Sequence, residues 1–186
     1  RIMTQKERGE VIFTGIGGGG VLLAGECVVQ AARKAYEHLV WFPNYSAAVR
    51  GGPCECTVVF SDQAISSPVL SRVQTVVVLD PAQLAASEKR VRPGGTLIVE
   101  STGLTENAER RDITVIKVPA LQQAREAGNV RGTNFIILGW YVGTTGLIDP
   151  ALVEEYLATK FGGSAAALTS NLEAFRLGLA ACAAAN

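Results

Sequence analysis

Val11-Ile12-Phe13, then Gly15-Ile16-Gly17-Gly18-Gly19-Gly20, then a helix-forming run from Val21 to Ala35 spell out a strand, a glycine turn and a helix. A helix N-terminus presents unpaired backbone N–H groups and a partial positive charge, and glycines let an anion approach them closely. The stretch reads as an α/β unit able to cradle a phosphate. The spacing Gly15-x-Gly17-x-x-Gly20 also fits the dinucleotide fingerprint, which needs an acid at the end of the second strand to bind the ribose hydroxyls. At that place stands Leu39-Val40-Trp41-Phe42-Pro43, and Glu37 precedes the apolar run. An NAD or flavin module is therefore the alternative reading, and a tight turn without a ligand the plainest one.

Outward from this unit, strands and helices alternate. Leu39 to Phe42 predicts a second strand closed by Pro43-Asn44, and Glu55 to Ser61 a third, preceded by the loop Arg50-Gly51-Gly52-Pro53. Thr75 to Leu79 is a continuous apolar run suited to a strand buried on both faces. Asp80-Pro81 then opens a helix to about Val91. Pro93-Gly94-Gly95 predicts a turn, Thr96 to Val99 and Ile113 to Val118 two further strands, and Ala120 to Ala127 a helix stopped at Gly128. Thr133 to Val142, Asp149 to about Thr159 and Ala165 to Ala185 read as helices. The expected architecture is an α/β three-layer sandwich, with a mostly parallel or mixed sheet and extra C-terminal helices, in one domain spanning residues 1–186. The last helix carries only Glu173 and Arg176 as charges, which predicts insertion into the core or, preferentially, docking on another chain.

Lys and Arg number 17, as do Asp and Glu, so long-range attraction to nucleic acid or an acidic membrane has no basis. The four cysteines, Cys27, Cys54, Cys56 and Cys182, lack metal-ligand spacing and read as small thiols in a reducing cytoplasm. Cys54 and Cys56, two apart in a strand, share a face. No leader, spanning segment, catalytic residue or metal site is expected.

A second motif lies at Tyr45-Ser46-Ala47-Ala48-Val49-Arg50-Gly51-Gly52. It carries a lone guanidinium and exposed backbone N–H groups where the loops of an α/β sheet gather beside the first glycine turn. GIGGGGVLLAGE, WFPNYSAAVRGGPCECTVVFSDQAISSP, VVVLDPAQL, RPGGTLIVES and NVRGTNFIILG, in this order and spacing, resemble the γ subunit or γ domain of the 2-oxoacid:ferredoxin (acceptor) oxidoreductases. The resemblance covers about residues 9 to 180.

It implies a subunit rather than a complete catalyst. Thiamine diphosphate, magnesium and 4Fe-4S clusters would reside on α and β partners, with a δ or ferredoxin-like subunit in some members and ferredoxin as acceptor. The γ module would complete the assembly and help bind coenzyme A. Carried over by residue, Gly17, Gly18 and Gly20 would lie near the coenzyme A phosphates, with Tyr45, Ser46, Arg50, Gly51 and Gly52 forming the opposing loop. Many relatives have Gln where this chain has Gly19, and Gly-Pro-Glu where it has Ser46-Ala47-Ala48, so a charge partner for Arg50 is missing here.

Overall fold

The computed structural model describes residues 8–45, 51–67 and 69–185, without the Tyr45 side chain. Among these residues β1 (Gly9–Ile16), β2 (His38–Tyr45), β3 (Pro53–Ser61), β4 (Val73–Val78), β5 (Val91–Glu100) and β6 (Thr114–Val118) form one sheet, in the order β2-β3-β1-β4-β5-β6. β1, β4, β5 and β6 pair in parallel. β3 runs antiparallel to both of its neighbours, β1 and β2. The sheet is thus mixed, with one reversed strand inserted beside the first.

Both faces of the central strands are buried, which is why β1 and β4 are apolar without alternation. Val11, Phe13, Cys56, Val58, Phe60, Val77 and Ile98 face a thick helical layer. That layer contains α1 (Val21–Ala32), α3 (Ala120–Glu126), α4 (Thr133–Thr145), α5 (Pro150–Phe161) and α6 (Ala165–Ala185). Ile12, Val76, Val78, Leu97 and Val99 face a thinner layer that includes Leu84 of α2 (Leu84–Glu88), together with Leu70, Leu104 and Ile113. The three layers expected from the alternation are present, and they are unequal.

Several boundaries differ from the sequence reading for definite reasons. Pro43 and Asn44 lie within β2 rather than closing it, because β2 is the sheet edge and a residue without an N–H is tolerated there. Pro93-Gly94-Gly95 is an irregularity inside β5 rather than a turn before it. Val73 pairs with Val91 and Thr75 with Thr96, so two steps along β4 are matched by five along β5. The extra residues arch outward, and Gly94 donates its N–H to the Asp112 carbonyl at 2.7 Å. The helix expected from Asp80 to Val91 is a 3₁₀ turn, Pro81–Gln83, followed by the short α2, since Val91 is already claimed by the sheet. α1 likewise ends at Ala32 rather than Ala35.

The long C-terminal helix α6 packs onto the core of this chain along one face. Its stripe Ala174, Phe175, Gly178 and Cys182 is buried within this chain, against α4. A Cβ on Gly178 would lie 2.0 Å from the Ile136 carbonyl oxygen, and one on Gly139 2.4 Å from that of Phe175. Backbone therefore meets backbone along the seam, and a helix packed through glycine needs few large apolar side chains to be buried.

Candidate functional site

The antiparallel insertion of β3 builds the site. Because β3 starts where β1 ends, Ile16 pairs with Pro53 and Gly15 with Cys54. The bend leading into β3 is thereby brought against the glycine turn leaving β1. Gly17 donates its N–H to the Gly52 carbonyl at 2.9 Å, and a Cβ on Gly17 would touch Gly51 at 3.6 Å. Gly17, Gly18, Gly20, Gly51 and Gly52 thus come together as the sequence predicted. Ser46, Arg50 and the Tyr45 side chain lie outside the described residues.

Each glycine in the turn has its own role. Gly15 packs strand against helix, for a Cβ there would meet Val21 Cγ2 at 3.0 Å. The Gly17 N–H is spent on holding the second bend, and that of Gly19 turns the chain by donating to Ile16 O at 3.1 Å. Gly18 and Gly20 have φ of +87° and +79°, a region that costs any other residue roughly 1–2 kcal/mol. Gly20 is the N-cap of α1 and carries no capping side chain, so the N–H groups of Val21, Leu22 and Leu23 have no acceptor one turn back. No acid stands in that first turn. The donors for an anion are therefore the helix's own first N–H groups rather than that of Gly17.

These groups open on a cavity of ≈ 400 Å³ lined by Ile16, Gly18, Val21, Leu22, Pro53 and Cys54 among others. Its apolar walls, drawn from the end of β1, the first turn of α1 and the start of β3, carry no motif in the sequence. The acids on neighbouring elements are engaged elsewhere. Glu26, on the second turn of α1, accepts from Tyr156 Oη at 2.5 Å and from Lys160 Nζ at 2.7 and 2.8 Å. Glu55 pairs with Arg90 at 3.3 Å on the opposite face of β3. Neither carboxylate offsets the partial charge of the α1 N-terminus.

Burial pushes the Glu26 carboxyl up, but the Lys160 and Tyr156 hydrogen bonds outweigh it and hold the group below the usual carboxylate range. Burial, reinforced by that carboxylate, raises the Tyr156 hydroxyl. Cys54 and Cys56 do share one face, both buried. Burial raises the Cys56 thiol to about 12 and the Cys27 thiol to about 12, so both stay protonated near neutrality. Among the described residues no three His, Cys, Asp or Glu side chains gather as metal ligands, and no helix is long and apolar enough to cross a membrane.

The topology also bears on the dinucleotide reading. In that fold the second parallel strand adjoins the first and its end carries the ribose-binding acid. Here the start of β3, Pro53-Cys54, occupies that place.

A glycine turn at the strand ends of an α/β sheet offers backbone N–H groups of the kind that suit an anion, and comparison with known proteins gives the family of the chain. Residues 10–181 match the model of the pyruvate ferredoxin/flavodoxin oxidoreductase family, and the chain belongs to that family. It is 32% identical over 170 residues to the ketoisovalerate oxidoreductase subunit VorA of Methanothermobacter thermautotrophicus, covering 90% of this chain and 35% of VorA. It thus spans about a third of the length of that relative. The fold matches the γ subunit of a keto/oxoacid ferredoxin oxidoreductase from Geobacter sulfurreducens, with TM-score 0.83 and 24% identity over 96% of this chain and 98% of that one. It also matches 2-oxoglutarate:ferredoxin oxidoreductase from Magnetococcus marinus, solved with 2-oxoglutarate, coenzyme A and succinyl-CoA bound. There the TM-score is 0.88 and the identity 23%, over 97% of this chain and 32% of the other.

Proposed function

We propose that this chain is a non-catalytic γ-type subunit or domain of a 2-oxoacid:ferredoxin oxidoreductase, completing the complex and holding the phosphates of coenzyme A. In this reading its residues form a single γ-type domain. The overall reaction is oxidative decarboxylation of a 2-oxoacid to acyl-CoA and CO₂ in the cytoplasm. Thiamine diphosphate with magnesium supplies the decarboxylation chemistry on α and β partners, and 4Fe-4S clusters there or on a δ, ferredoxin-like subunit pass electrons to ferredoxin.

The observation that carries the reading is the 2.9 Å hydrogen bond from Gly17 N–H to Gly52 O, which holds the two glycine bends together beside an open cavity. Coenzyme A, a substrate here, joins a diphosphate to a long, partly apolar arm. The first-turn N–H groups of α1 suit the diphosphate. Walls formed by Ile16, Leu22 and Pro53 suit the arm. The Magnetococcus marinus enzyme, of like fold, was solved with coenzyme A and succinyl-CoA bound. To Arg50, the residue before Gly51 in sequence, this reading assigns a charge-assisted contact with the same phosphates.

Calorimetric titration of the intact chain tests this. Coenzyme A binds saturably and is displaced by pyrophosphate, whereas NADH and flavin do not bind. Arg50→Ala weakens coenzyme A roughly ten- to a hundredfold, the range for a hydrogen bond to a charged group. Saturable binding of NADH instead would favour an independent nucleotide module. No binding to the chain, with an unchanged apparent affinity for coenzyme A when Arg50→Ala is assayed in the assembled enzyme, would reduce the chain to a ligand-free scaffold.

A further inference from the structure

Asn134 stands in the first turn of α4, in the otherwise apolar run Asn134-Phe135-Ile136-Ile137-Leu138, and is 4% exposed. A buried amide in such a helix lowers helix propensity and costs free energy unless its hydrogen bonds are used. Its Nδ2 faces the Gly20 carbonyl at 3.4 Å. The same oxygen accepts the first intrahelical bond of α1, from Ala24 N–H at 3.0 Å. A Cβ on Gly20 would fall 2.5 Å from Nδ2 and 2.8 Å from the Asn134 Cβ, so the glycine and the asparagine fit as a pair.

The peptide group whose oxygen receives these two donors is the one whose other end is the Val21 N–H, the first orphan donor of α1. Donation to a peptide oxygen polarises the unit and strengthens its N–H as a donor. We infer that Asn134 is a positioning residue for the anion cradle: from α4 it fixes the Gly20 cap and strengthens the Val21 N–H toward a bound phosphate. The inference rests on the coenzyme A reading for its ligand but not for its geometry, and it ties the cradle to the helix on which α6 packs.

Two variants of the intact chain test it. Asn134→Ala removes the donor, and Asn134→Asp keeps the shape while placing an acceptor against the Gly20 oxygen. The backbone amide resonance of Val21, followed by ¹H–¹⁵N NMR without ligand, moves upfield and its hydrogen exchange quickens in both variants, more in Asn134→Asp. Affinity for coenzyme A, and for pyrophosphate as the bare anion, falls about five- to tenfold in Asn134→Ala and further in Asn134→Asp. A role confined to core packing would leave the isosteric Asn134→Asp with an unmoved Val21 amide and wild-type affinity, and that result overturns the inference. If the wild-type chain binds neither coenzyme A nor pyrophosphate, the coenzyme reading fails, and the Val21 resonance still decides the role of Asn134.

Discussion

At the scale of single residues, the polar clasp between α1 and α5 shows how charge is removed from the cradle. Glu26 stands six residues beyond Gly20, on the second turn of α1. Lys160 and Tyr156 hold it, and its carboxyl lies below the usual range. A carboxyl depressed on folding contributes stability that is present above its unfolded value near 4.5 and is lost as pH falls through the folded value. Glu26→Gln should therefore be less stable than wild type at neutral pH, with the difference closing as pH is lowered below 4.5, measured by urea denaturation across pH. A stability gap independent of pH would show that the clasp acts through shape alone. Sequence reading found the glycines at this scale because their chemistry is local. The pairing of Asn134 is not local, because its partner Gly20 lies 114 positions away.

At the scale of elements, the α4–α6 seam bears directly on the site. α4 carries Asn134 at its start and lies against α6 through Gly139 and Gly178, so displacing α6 moves the residue that holds the cap. Gly178→Ala places a methyl group against the Ile136 carbonyl, where backbone cannot yield without the helices parting. Overpacking of this kind costs about 2–3 kcal/mol, or roughly 5–10 °C in Tm for a chain of this size. Ala183→Val, at an exposed position on the same helix, should change stability by less than about 0.5 kcal/mol. Thermal melts followed by circular dichroism compare the two, and equal effects would mean that the seam is looser than its geometry. The scarcity of charge on α6 allows insertion into the core or docking on another chain, and one stripe of its small residues approaches α4. Both arrangements need the same composition, so the α4 contact is not legible in the sequence.

At the scale of the whole molecule, one reversed strand shapes the candidate site. Inserting β3 between β1 and β2 fills the place of a dinucleotide fold's ribose acid and seats a second glycine bend on the first. Among the described residues, the edge strand β2 exposes Trp41 at 40% and Phe42 at 48%, and Ile16 is 43% exposed beside the glycine turn. Expressed with the α and β chains that the subunit reading calls for, the protein should elute with them in size-exclusion chromatography at a mass well above 19.6 kDa. Elution as a stable monomer in their presence would count against the subunit reading.

The chain by itself determined what depends on neighbours in sequence: the strand–turn–helix at Val11 to Ala32, the apolar runs of buried strands, the capped start of α5 at Asp149, and the family pattern in which two glycine bends recur. Tertiary structure alone decided the direction of β3, the irregularity in β5, the contact of α6 with α4 and the pairing of Asn134 with Gly20. Backbone torsions and helix caps are set by a few consecutive residues, whereas strand direction and close packing depend on which distant surfaces can be buried together, and the latter preference is not written in any single segment.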